Sequence, residues 1–166
     1  RWGRIAEGSG EDPWLGSQMA AAYVRGYQGA DMSHDDEIMA CVKHFAAYGA
    51  PEAGRDYTAA DMSRQKLYNC YLPPYRAAIE AGAGSVMTSF NLLDGEHPTA
   101  SRWLLDGLLR RQWGFDGMVV TDYNSISDMA TLGLVEAPEA AAMSLKAGTD
   151  MDMVSNAYLN TLGDSY

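Results

Sequence analysis

The sequence predicts an α/β fold, a partial (β/α)8 TIM-like barrel with parallel strands and crossover helices. Three observations predict it. Short apolar runs recur along the chain, and each ends in polar residues. The runs are continuous rather than alternating, as in strands buried on both faces. Stretches with readable helix caps lie between them, the alternation that right-handed crossovers produce. Four such runs fit within the 166 residues, whereas a complete barrel takes about 250. Residues 1–166 are therefore expected to be a fragment of a larger domain, with no second domain present. An open doubly wound sheet is the alternative. Against it, Gly3, Gly8, Gly10 and Gly16 do not follow a strand in GxGxxG spacing, and no GxxxxGK[ST] phosphate loop exists.

Taken in order, Asp12 before Pro13 is an N-cap with proline at the first helical position. The helix through Tyr27 places Leu15, Met19, Ala22 and Tyr23 on one face. Residues 38–42 form the first strand, leading into Lys43-His44. Ser63 caps a second helix that Pro73-Pro74 must break or kink, and a further helix runs to Gly82. The second strand, 85–90, leads into Asn91. Ser101 opens a helix carrying Trp103, Leu104, Leu105, Leu108 and Leu109, with Gly114 placed to stop it. The third strand, 117–121, ends at Asp122-Tyr123, Pro138 opens a last helix that Gly148 closes, and residues 147–154 make a weaker fourth strand.

Composition narrows the function. A net charge of −10 argues against a nucleic-acid partner, which needs a basic face. No apolar run approaches the roughly 20 residues of a bilayer span. The opening Arg1-Trp2-Gly3-Arg4 is neither a start methionine nor a signal peptide. Cys41 and Cys70 lie among apolar neighbours and read as buried free thiols. There is no CxxC and no HExxH, so nothing calls for a metal or a cofactor. The acidic group around His34, Asp35, Asp36 and Glu37 reads as a solvated loop.

In a barrel, chemistry collects at the C-terminal ends of the strands. The polar residues there are Lys43, His44, Asn91, Asp122 and Asp150. A carboxylate ending the apolar run before Asp122 sits at the rim of a dry core, where it can serve as nucleophile or base. It could equally cap the following helix. Lys43 and His44 can donate to sugar hydroxyls, and Lys43 would hold a nearby carboxylate ionised. As strand neighbours they point to opposite faces unless the chain turns there, leaving open that one is solvated and the other a core histidine.

Several blocks, in order along nearly the whole chain, closely resemble glycoside hydrolase family 3. They are Arg1-Trp2-Gly3-Arg4 with residues 7–13 (EGSGEDP), residues 42–49 (VKHFAAYG), Gly54-Arg55-Asp56-Tyr57, residues 85–91 (SVMTSFN) with Asp94-Gly95, and residues 113–123 (WGFDGMVVTDY). Residues 47–50, 61–63 and 72–75 make it most similar to the branch of periplasmic bacterial β-glucosidases. The resemblance implies a (β/α)8-like first domain followed by an α/β sandwich domain that lies outside this chain. It implies a retaining, exo-acting hydrolase that releases terminal β-D-glucose from β-glucosides and oligosaccharides, with Asp122 as nucleophile. Arg4, Lys43 and His44 fall on residues that bind sugar hydroxyls. Met87 and Phe90 fall on a strand whose end lines the pocket, and Tyr123 is placed to touch the leaving group. The family also carries cis peptides after its Lys-His pair. An aspartate that grips the sugar and the general acid/base both come from outside this segment. Asp128 is an in-chain acid candidate, with an exposed helix position as the alternative, and Glu7 and Glu11 are expected to hold loop amides. The resemblance further implies a periplasmic or secreted location. A β-xylosidase, a β-N-acetylglucosaminidase of the same family, and a non-catalytic sugar-binding piece are the competing readings. The second is weak, because the loop after His44 lacks the further histidine of that branch.

Overall fold

A computed structural model describes residues 3–163. Helix α1 (Pro13–Gln28) starts as expected, with the Asp12 carboxylate accepting the Trp14 and Leu15 amides at 2.8 and 3.2 Å. Strand β1 (Cys41–Phe45) follows. Next come α2 (Arg64–Lys66), a π-helical turn (Leu67–Tyr71) and α3 (Leu72–Glu80) in unbroken succession. Then β2 (Ser85–Thr88), a π-helical segment (Trp103–Gln112) and β3 (Met118–Val120). Helices α4 (Ser125–Thr131), α5 (Ala137–Ala147) and α6 (Ala157–Thr161) close the described chain.

The three strands are parallel and lie in the order β1-β2-β3, with Cys41 opposite Ser85 and Val86 opposite Val119. Sequential parallel order is that of a barrel wall, and equally that of one half of a doubly wound sheet up to its switch point. Between the sheet and its helices lies one main core. Leu104, Leu105, Leu108 and Leu109 of the π-helical segment meet Phe45, Leu67, Leu72, Val86 and Val119 there, all essentially inaccessible to water. Burying each such side chain contributes about 1.5–3 kcal/mol, so this contact fixes the height of the strands on the helices.

Several expectations are corrected. The expected fourth strand is reduced to an isolated bridge between Val120 and Met151, beside which the Asp150 amide also donates to the Val119 carbonyl at 2.9 Å. Beyond it, the Met153 amide donates to the Thr121 hydroxyl instead of a carbonyl, so the ladder stops. Strand β1 begins three residues later than expected and includes Lys43 and His44. Its approach is held by Gln28, whose amide oxygen accepts the Ala40 and Gly84 amides, both at 2.9 Å. The buried face of α1 carries Val24 and Gln28, with Gly16, Ser17, Ala20 and Ala21 half-buried, while Leu15, Met19 and Tyr23 are exposed. Helix α1 packs on α3 so closely that a Cβ at Gly16 would stand 3.2 Å from the Pro74 ring. Small residues therefore face the contact and large ones face away. Pro73-Pro74 do not break the helix, because the wider π-helical turn just before them absorbs the missing amides. Cys41 and Cys70 are both exposed, since each lies on the outward side of its element. The helix that Gly148 closes is followed by α6, whose first amides bond the Asp152 carboxylate.

Candidate active site

The C-terminal ends of the strands gather the polar residues. Strand β1 loses regular register between Val42 and Phe45, where the Lys43–His44 and Phe45–Ala46 peptides are cis. Lys43 and His44, though consecutive, line one cavity of about 200 Å³ together with Glu7, Gly8, Tyr48, Gly49 and Tyr75. The turn is pinned from below. The Tyr75 hydroxyl donates to the His44 carbonyl at 2.5 Å, the Ser89 amide to the Phe45 carbonyl at 2.9 Å, and the Ser89 hydroxyl to the Ala46 carbonyl at 3.1 Å.

Asp122 sits just past the end of β3 and is 8% exposed. Its Oδ1 accepts the Tyr123 amide at 2.7 Å. Its Oδ2 is buried with no hydrogen-bond partner among the described residues and lies 3.6 Å from His44 Nε2. It does not cap the next helix by its side chain: Asn124, in the left-handed region, holds the N-cap position of α4. Burial pushes the Asp122 carboxyl above the ordinary aspartate range, while the Tyr123 amide and the charges of Lys43 and Arg4 pull it back down. His44 is also buried, and desolvation with help from Arg4 and Lys43 lowers its pKa to about 4. At neutral pH the imidazole is uncharged, so the 3.6 Å contact joins a neutral ring to a carboxylate oxygen and is not an ion pair.

Arg4 reaches the same region from the N-terminal loop. Its Nε and one terminal nitrogen donate to the two Glu7 oxygens, each at 2.7 Å, and its guanidinium carbon lies 5.5 Å from the Tyr48 ring centre. Glu7 thus grips Arg4 rather than loop amides, because its side chain faces the guanidinium one helical turn away; Glu11 is exposed. Arg1 and Trp2 of the same sequence block lie outside the described residues. Phe90 is half-buried, 5.2 Å from the Tyr57 ring and 6.4 Å from Tyr48, and Met87 is half-buried on β2. Tyr123 is 61% exposed, a free aromatic face beside Asp122.

Not every polar strand end joins this group. Asp150 lies toward the opposite, N-terminal end of β3, where it accepts Arg110 and the Val119 amide, both at 2.7 Å. Asn91 is fully buried and spends its amide on the Ala46 and Leu92 carbonyls at 3.4 Å. Asp128 is half-buried on α4 rather than exposed, and accepts the Asn124 amide at 3.2 Å. Sequence reasoning singled out neither Tyr48 nor Tyr75 nor Asp56 as site residues. Their signal was membership of the resembling blocks at residues 42–49, 54–57 and 72–75, which carried no role for them. Among the described residues no group of three or more His, Cys, Asp or Glu could hold a metal ion, and no helix is long and apolar enough to cross a membrane.

The sequence matches the Glycosyl hydrolase family 3 N terminal domain over residues 1–164. It is 45% identical over 159 residues to the periplasmic β-glucosidase of Salmonella typhimurium, covering 95% of this chain and 21% of that protein. It is 41% identical over 159 residues to a β-xylosidase of Formosa agariphila, covering 93% and 22%. Its fold superposes on the crystal structure of β-glucosidase from Listeria innocua with a TM-score of 0.95 and 43% identity, over 98% of this chain and 23% of the other. The chain spans about a fifth of the length of the relatives it matches. The chain belongs to glycoside hydrolase family 3, as part of its N-terminal, barrel-like domain.

Proposed function

We propose that the protein containing this chain is a retaining, exo-acting glycoside hydrolase that releases terminal β-D-glucose, with Asp122 as nucleophile. The single observation that carries this reading is the unpaired, buried Oδ2 of Asp122 beside neutral His44 at the strand ends. A buried carboxylate oxygen without a partner is costly in a folded protein, and such cost is concentrated where chemistry needs it. Residues 1–166 would be the later half of the catalytic barrel, completed by the rest of the parent chain.

In this mechanism Oδ2 of Asp122 attacks the anomeric carbon as the bond to the leaving oxygen breaks. A second carboxylic acid, supplied from outside this segment, protonates that oxygen. The same group then takes a proton from water, the water oxygen bonds to the anomeric carbon, and the ester to Asp122 breaks with return of its carboxylate. The two carboxyl groups must then stand about 5–5.5 Å apart. Lys43 and Arg4 keep Asp122 ionised against its desolvation, which a nucleophile requires. Neutral His44, Lys43 and Arg4 donate to the sugar hydroxyls, Met87 and Phe90 line the pocket, and the exposed ring of Tyr123 meets the leaving group. Asp128 is spent on Asn124, which favours an acid from elsewhere.

Trapping tests this directly. A 2-deoxy-2-fluoro-β-glucoside with a good leaving group, incubated with the complete enzyme, should leave the fluorosugar on the peptide containing Asp122. Labelling of another carboxylate, or none while the reagent is consumed, would overturn the assignment. A β-xylosidase is the second reading, favoured by the 41% identity to one; comparing kcat/KM on aryl glucoside and aryl xyloside separates the two. The 45% identity to a periplasmic enzyme supports a periplasmic or secreted location.

A further inference from the structure

Among the described residues Tyr48 is the largest side chain that water does not reach, at 1% exposure, and no step above uses it. Its ring stands edge-on to His44 with centres 4.9 Å apart, and the Arg4 guanidinium lies over its face at 5.5 Å. Its hydroxyl faces the Asp56 carboxylate and Arg4, and burial together with Asp56 pushes its ionisation upward, so it stays a neutral donor. A buried position that only needed filling would be served by phenylalanine. A phenol in a dry site requires a partner for its O–H. Asp56 belongs to a loop that is itself tied down: the Thr58 hydroxyl donates to the Glu52 and Arg55 carbonyls at 3.0 and 2.7 Å, and the Glu52 amide to the Ala59 carbonyl at 3.0 Å. Arg4 is thus enclosed between the Glu7 carboxylate on one side and the Tyr48 ring and hydroxyl on the other.

We propose that Tyr48, anchored by Asp56, is a positioning residue that fixes Arg4 and His44 in the attitudes from which they meet the sugar. This rests on the assignment of those two residues to sugar binding. Tyr48 touches no reacting atom. It acts through a guanidinium and an imidazole whose hydrogen bonds are made in the ground state and kept in the transition state, so its loss is read in KM rather than kcat.

The test is a double-mutant cycle in the complete enzyme. Tyr48→Phe keeps the ring against His44 and removes only the hydroxyl; Asp56→Asn keeps the shape of the exposed anchor and removes its charge. Each should raise KM for an aryl β-glucoside about tenfold with kcat within about twofold, as loss of one charge-assisted hydrogen bond gives. Because both cut the same link, the double variant should be no worse than either single one. A merely structural role would lower thermal stability and leave KM of the folded enzyme alone. Wild-type KM in both variants, or strictly additive losses, overturns the inference. The fluorosugar trap separates the levels. Labelling of Asp122 in the wild type and both variants, with unchanged KM, sinks the role of Tyr48 alone, whereas no labelling in the wild type sinks the reading beneath it.

Discussion

The two ends of β3 treat an aspartate in opposite ways. At the N-terminal end Arg110 donates to the carbonyls of Phe115 and Gly117 and to Asp150, and Asp150 also accepts the Val119 amide. Every strong group there has a partner. At the C-terminal end Asp122 Oδ2 has none and faces an uncharged histidine. Both ends present an aspartate beside a basic residue, yet one is a clamp and the other is held ready. Among the described residues Asn91 Oδ1 and His97 Nε2 are buried without a partner as well, so what sets Asp122 apart is its place at the strand end beside His44 and the cavity.

The sharpest way to break this contrast is to neutralise each aspartate. Asp122→Asn removes the proposed nucleophile while keeping shape, and turnover of an aryl glucoside should fall by at least about 10³-fold, the scale at which a lost catalytic group leaves only binding. The melting temperature should hold or rise, since burial disfavours the charge that the substitution deletes. Near-normal turnover in a folded Asp122→Asn enzyme would collapse the distinction between the two ends.

Titration separates the site from the clamp through stability. His44 and His97 are buried, and desolvation lowers each to about 4. The unfolded chain binds these protons near pH 6.5 and the native state only near 4, so the unfolded state holds more protons between those values. Stability is then fully present above about 6.5 and is lost as the pH falls toward 4, by up to about 3 kcal/mol for each histidine. Asp122 works the other way, because burial raises its pKa, so the native state holds the proton more tightly and loses stability as pH rises above the ordinary aspartate range. Urea unfolding between pH 7 and 4.5 should show the loss, and His97→Gln should flatten it. A wild-type curve flat over this interval would mean the imidazoles are solvated.

At the clamp, Asp150→Asn should cost about 2 kcal/mol, the worth of charge-assisted bonds to a group that is half exposed. Denaturant melts would read that loss, with kcat and KM within about twofold of wild type. A large fall in kcat from Asp150→Asn would place catalytic work at both ends of the strand.

Legibility in the sequence divides along the same line. The Asp12 cap and the Gly114 and Gly148 stops follow from local rules, and the structure carries them, whereas the first two strands end at Phe45 and Thr88 rather than at residues 42 and 90. Convergence of Asp122, Lys43, His44 and Arg4 depended on resemblance, because no spacing rule brings together side chains from a loop and two strands. Asp150 ended an apparent strand just as Asp122 did, and only the register against Val119 reveals that it lies at the other end. The face of α1 was misread for a physical reason: periodicity finds large apolar residues, whereas close helix packing selects small ones at Gly16, Ala20 and Ala21. Tyr48 was invisible because a buried aromatic in an apolar run carries no mark of what its hydroxyl does.

The smallest expected effect lies under the site. Tyr75 is half-buried, desolvation raises its ionisation, and its hydroxyl reaches the His44 carbonyl at 2.5 Å. Tyr75→Phe leaves that carbonyl without its donor, which costs about 1 kcal/mol of stability. The ring contact with Phe45, 5.2 Å between centres, survives the change, so the core beneath should not collapse. What should move is the backbone that carries His44, and with it the 3.6 Å approach of Nε2 to Asp122. A severalfold fall in kcat/KM alongside that small stability loss would place Tyr75 with the held-ready end of the strand, whereas unchanged kinetics would make it a clamp like Arg110.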